Sequence, residues 1–267
     1  MENKRNFFDL VSSQRYFHLI ALKLNKRYTL SDYWNQCGLT DVTSKTLRYE
    51  DSNFCIEHRR IKTDISFYNG EKDFSLNGDG NPPYSYDLFA IEMPSDSLII
   101  LGFPFKFLAK TILYDLIGKY NLLTKASFLK CDLNKLIKHN TDYVYSSDKF
   151  NSYFSAVDLI LTGDTNITSV ALDGDKPLES ILYRTFFHDR VHKDECMLER
   201  CAIKCELLKD LPKTKSNVHM DITGNFKLYV HGSGNNIFTI PYLFSALNEL
   251  DCLKQTITNP INKSIDE

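Results

Sequence analysis

The stretch Phe54–Tyr68, FCIEHRRIKTDISFY, decides how the chain is read. From about Ile56 onward apolar and polar residues alternate, and a period of two belongs to a β-strand with unlike faces. The alternation sets His58, Arg60 and Lys62 on one face at intervals of about 7 Å, a basic stripe of the kind that tracks phosphates. The plainer account is the solvated face of an edge strand, where Lys and Arg also discourage edge-to-edge pairing.

Toward the C-terminus the same period recurs. EKDFSLNGDGNPPYSYD, from Glu71, is a turn-rich loop, and LFAIEM and LIILGF flank PSDS as a hairpin. An apolar helix is expected from Pro104, a proline tolerated in a first turn, to Tyr120. ASFLKC reads as a strand, DLNKLIKH as a short helix, and YFSAVDLIL with TSVAL as a second hairpin across TGDTN. A helix follows from Asp175 and Pro177 to about Lys193. In ERCAIKCEL, Cys201, Ile203, Cys205 and Leu207 face one way as on a strand, and VHMDIT, FKLYVHG and NIFTI continue as a meander. A closing helix starts at Pro241, and residues 256–267 read as a flexible tail.

Toward the N-terminus the pattern changes. Phe7, Leu10, Phe17, Ala21 and Leu24 recur at helical spacing and predict a helix over Asn6–Leu24. Thr29–Glu50, TLSDYWNQCGLTDVTSKTLRYE, resembles a helix-turn-helix. Ser31 caps a short helix, Gly38-Leu39-Thr40 turns, and a second helix presents Thr43, Ser44, Lys45 and Arg48 to a DNA groove. Trp34 stands where such motifs place a small residue, and the spacing from Gly38 to Leu47 is one short.

The resulting expectation is an α+β fold with mainly antiparallel sheet. Residues 1–50 form a helical segment, and residues 51–255 form the body. FPFKFLAK (from Phe103) and IPYLFSAL (from Ile240) echo each other, which points to two β-hairpin–helix repeats, 54–120 and 196–253, about a pseudo-two-fold axis.

The chain has 267 residues and 43% hydrophobic content, with 18 Phe and 15 Tyr, enough for an ordinary core. A formal charge of −2 argues against coating nucleic acid by bulk charge and leaves only a local basic patch. The seven cysteines are scattered without a CxxC pair and the first residues carry no signal peptide, so reduced thiols in the cytoplasm are expected. The apolar run Leu98–Ile117 holds Lys106, Lys110 and Asp115, which at about 2.5–3.5 kcal/mol each argue against a membrane span.

Little else carries chemistry. FFHDRVHKDEC, Phe186–Cys196, sets His188 and His192 four apart, on one helical face as two zinc ligands require, with Asp194, Glu195 or Cys196 as a third. The metalloprotease pattern asks for Glu where Asp189 stands, and both histidines are expected near the core side of Ile181, at a helix C-terminus whose dipole favours them without a metal. HGSGN, His231–Asn235, fits neither a nucleophile elbow nor a phosphate loop, and reads as a tight turn between strands. No carboxylate–Lys spacing of a two-metal nuclease occurs.

The leading expectation is therefore a non-enzymatic nucleic-acid-binding protein without cofactor. Its contacts are Thr43, Ser44, Lys45, Arg48, His58, Arg60 and Lys62. The alternatives are a protein–protein interaction subunit, homo-oligomers included, and a metal-dependent hydrolase at His188 and His192.

Overall fold

A computed structural model describes residues 16–24, 47–63, 66–68, 71–73, 84–104, 126–139, 143–162, 167–208, 214–229 and 234–256. The chain divides into two compact units. The first comprises Met1–Leu129, Gly232–Gly234 and Gln255–Glu267; the second comprises Lys130–His231 and Asn235–Lys254.

The first unit is built on β1 (Tyr16–Leu24), β2 (Leu47–Glu50), β3 (Cys55–Thr63), a small hairpin of β4 (Ser66–Tyr68) and β5 (Glu71–Asp73), then β6 (Tyr84–Met93), β7 (Leu98–Phe103) and the start of β8 (Ala126–Cys131). Its sheet runs β8–β1–β7–β6–β3–β2 with every neighbouring pair antiparallel. All of β7 is buried, as are Leu88–Ile91 of β6 and Leu19–Leu22 of β1, so this sheet is covered on both faces. Phe89 pairs with Gly102 across β6 and β7, and a β-carbon at 102 would stand 2.1 Å from the Phe89 ring. The glycine is there because the ring occupies that space.

These strands correct the N-terminal expectation. Tyr16–Leu24 is β1 and not the end of a helix. Phe17 and Ala21 do recur at helical spacing, but Leu19, Ile20 and Leu22 between them are buried too. A strand covered on both faces is a continuous apolar run, which periodicity alone does not separate from a buried helix. Leu47–Glu50 pairs with Cys55–His58 as β2, so the second helix of the expected helix-turn-helix does not extend through Leu47 and Arg48. Residues 25–46 lie outside the described residues, as do 105–125 with most of the helix expected after Pro104.

The second unit holds α1 (Leu133–Lys138), β9 (Tyr145–Ser146), β10 (Phe150–Leu161), β11 (Ser169–Asp173), α2 (Ile181–Phe186), α3 (His188–His192), β12 (Cys196–Leu207), β13 (Thr214–Asp221), β14 (Phe226–Tyr229), α4 (Ile240–Glu249) and the start of β15 (Leu253–Thr256). An antiparallel meander, β11–β10–β12–β13–β14, forms its sheet. Along β12 the residues Cys201, Ile203, Cys205 and Leu207 point inward, as their alternation requires. The inner face packs on α4: Phe226 meets Phe244 at 5.0 Å, Phe150 stacks on Tyr242 at 5.6 Å, and Ser216 Oγ lies 2.5 Å from Thr239 Oγ1.

The duplicated hairpin–helix arrangement is not found. The strands of the second expected repeat belong to a meander continuous with β10 and β11, and NIFTI lies in a 3-10 turn, Gly234–Thr239, rather than a strand. Of the two Pro-aromatic phrases, the one at Ile240 opens α4 with Pro241 in its first turn, while the one at Phe103 runs into residues outside the described set. Among the described residues no helix is long and apolar enough to cross a membrane, and Cys55, Cys131, Cys196, Cys201, Cys205 and Cys252 are buried.

Candidate interaction site

Of the expected basic stripe, His58 is a core residue. His58 is 1% exposed, with Nε2 2.9 Å from Asp87 Oδ1. Both faces of β3 are covered at this point, since Ile56 and Glu57 are buried beside it. A polyanion does not reach His58 in this arrangement. Arg48, Arg60 and Lys62 are placed by their backbone alone, paired with Glu57, Asp87 and Ser85. Thr43, Ser44 and Lys45 lie outside the described residues.

A depression of about 330 Å³ beside α1 is lined by Asp132, Asn134, Lys135, Lys138 and His139. Its cations are matched by acids: Lys135 pairs with Asp251 at 2.5 Å, Lys138 with Asp194 at 2.6 Å, and Lys254 with Asp132. Asp132 also caps α1, accepting from Lys135 N at 3.2 Å. Burial alone would raise the Asp132 carboxyl, but its bonds from Lys254 and the α1 backbone outweigh that and hold it below the usual range. With its charges balanced, this rim attracts neither sign strongly.

The unbalanced surface is on α2 and α3. The segment expected as one helix to Lys193 is broken in two at Phe187, whose φ of −117° departs from helical geometry. Ser180 caps α2, its Oγ accepting from Tyr183 N at 3.2 Å. Tyr183, Phe187 and Val191 anchor the pair in the core, and burial pushes the Tyr183 hydroxyl up to about 12. Much of what α2 exposes is apolar as well: Ile181 is 85% exposed, Phe186 61% and Leu182 47%. Leu182 and Phe186 are four apart, and with Ile181 they make a ridge in water.

The break at Phe187 also relocates the two histidines. His192 ends α3, but His188 opens it, so the favourable C-terminal dipole reaches only one of them. Ile181 lies in solvent, so the side expected to be core is the exposed one, and both histidines are exposed with it. Their ring centres are 4.7 Å apart, and His188 Nδ1 lies 3.2 Å from Asp189 Oδ1. Of the third ligands anticipated from the sequence, Asp194 pairs with Lys138, Cys196 is buried in β12, and Glu195 is exposed. Among the described residues no three His, Cys, Asp or Glu side chains gather to hold a metal ion. That leaves the hydrolase alternative without the three protein ligands such zinc sites use.

The ridge has a charge of its own. Glu179 pairs with Lys176 at 2.8 Å and Asp194 with Lys138, whereas Arg184, Arg190 and Lys193 are exposed in the same stretch and, among the described residues, hold no ion pair. Asp189, whose partner is His188, and Glu195 are exposed acids of the same stretch, so its three cations face two carboxylates. Sequence reading placed a helix here but put Ile181 on the inside, because an apolar residue at a helix start is ordinarily core.

No protein-family model matches the chain, and no curated protein matches its sequence.

Proposed function

We propose that this protein is a protein-interaction module that docks a partner on the ridge of α2 and α3. The observation that carries this reading is the exposure of Ile181, Leu182 and Phe186 on a single helix of six residues. Fully burying side chains of this size contributes about 1.5–3 kcal/mol each, and contiguous exposed apolar groups mark interaction surfaces. Arg184, Arg190 and Lys193, exposed in the same stretch, favour a partner whose apolar segment is flanked by Asp and Glu. Nucleic-acid binding, the other class read from the sequence, gains nothing from His58, which faces the core.

The test is to isolate partners on the full chain, rebuild the complex with the purified partner, and measure Kd for Ile181→Asp and Phe186→Asp. Each substitution is expected to weaken binding at least tenfold, and the segment protected on the partner is expected to be acidic and apolar. Binding unchanged by both substitutions refutes the reading. So does self-association abolished by them with no second protein involved, which would make the ridge a contact between copies.

A further inference from the structure

We propose that His188 and His192 form a two-histidine site for a divalent transition-metal ion, open to solvent on its remaining positions. Three observations converge on it. The first is spacing. With metal–nitrogen bonds of about 2.0–2.1 Å and ring centres about 1.1 Å beyond, two imidazoles on adjacent positions of one metal lie roughly 4.4–5.2 Å apart. The observed ring separation is 4.7 Å. The ring separation falls within the range of a chelating pair.

The second is orientation. His188 Nδ1 lies 3.2 Å from the Asp189 carboxylate, and an N–H donated there leaves Nε2 with the lone pair. A carboxylate behind a histidine fixes ring and tautomer at metal sites and raises ligand basicity. Tyr183, anchored in the core, meets the same ring edge-on at 6.4 Å and restricts it further. The third is access: both rings are exposed on the outer side of α3, so an ion reaches them without opening the fold.

Imidazole nitrogen selects the class. Two neutral nitrogens suit Cu²⁺, Ni²⁺ and Zn²⁺ and offer little to Mg²⁺ or Ca²⁺, which take oxygen. Copper is favoured over nickel along the divalent series. With water in the open positions, the site binds and releases its ion and does not hold it as a closed structural zinc does.

The experiment titrates the full chain with Cu²⁺, Ni²⁺, Zn²⁺ and Mg²⁺ salts by calorimetry, and records the Cu²⁺ paramagnetic resonance spectrum. One Cu²⁺ per chain is expected, with hyperfine structure from two nitrogens and no Mg²⁺ response. His188→Ala and His192→Ala should each lower affinity at least tenfold and remove one nitrogen from the spectrum. Asp189→Asn, which keeps the shape but removes the charge, should weaken binding by about tenfold. Circular dichroism of each variant confirms that α2 and α3 persist. Copper binding that survives both histidine substitutions, or no binding at millimolar Cu²⁺, overturns the proposal.

Discussion

His58 Nε2 lies 2.9 Å from Asp87 Oδ1, and both side chains are inside the first unit. A buried polar group without its partner costs free energy, and removing one member of such a pair leaves the other stranded. Asp87→Ala and His58→Ala should each lower stability by about 2–4 kcal/mol in urea unfolding. The double variant should lose less than the sum, by about 1 kcal/mol or more. Strictly additive losses would show that the two groups do not support each other.

The pair also explains why His58 was legible as a strand residue but not as a core residue. The alternation from Ile56 to Tyr68 marks strand, and the chain divides it into β3 and the separately paired β4. Which face is covered depends on β6, which brings Asp87 to the same side, and on a sheet buried on both faces. Histidine is intermediate in its preference for burial, so its position in an alternating run does not decide its face. The hairpin of β6 and β7 was legible from PSDS, and so was the inward set on β12, because turn chemistry and alternation are local. β1 was not, since burial on both faces erases the period. The outward turn of Ile181 was not legible either, because it depends on the core choosing Tyr183 and Val191 instead.

Gly102 and Phe89 give a second prediction. Phe89 is fully buried, and its ring fills the space where a β-carbon at 102 would stand. Gly102→Ala must push that ring from its position, and overpacking of this kind costs about 1–3 kcal/mol. Phe89→Leu alone should also destabilise, but it should relieve Gly102→Ala when the two are combined. A thermal-unfolding double-mutant cycle checks this. A Gly102→Ala protein as stable as the parent would mean that the ring does not lie over the glycine.

The buried thiols set the alkaline limit of stability. Burial pushes Cys252 up to about 11, and it drives Cys201 and Cys205 well above the ordinary thiol range. A group whose folded value is raised holds its proton more tightly in the native state. Its contribution is therefore complete below the unfolded thiol's 9.0 and is lost as pH rises through the folded value. Tyr183 acts in the same direction from about 10 to 12. The urea midpoint should hold level from pH 7 to 8.5 and fall between pH 9 and 11, more shallowly in Cys201→Ala. A thiol reagent at pH 8 should label none of these three cysteines until urea is added. Fast labelling of the native protein would contradict their burial.

Two neighbours on α2 should respond in opposite ways. Tyr183 is core, and Phe186, three residues on, stands in water. Truncating a buried aromatic removes its contacts and leaves a cavity, at about 3–5 kcal/mol, so Tyr183→Ala should unfold at markedly lower urea. Phe186→Asp removes nothing from the core, and surface changes of this kind stay within about 0.5 kcal/mol. The same change should raise solubility, because it interrupts the ridge with charge. If Phe186→Asp destabilised the protein as much as Tyr183→Ala, Phe186 would have to be packed in solution. The ridge would then be part of the fold rather than a place for a partner.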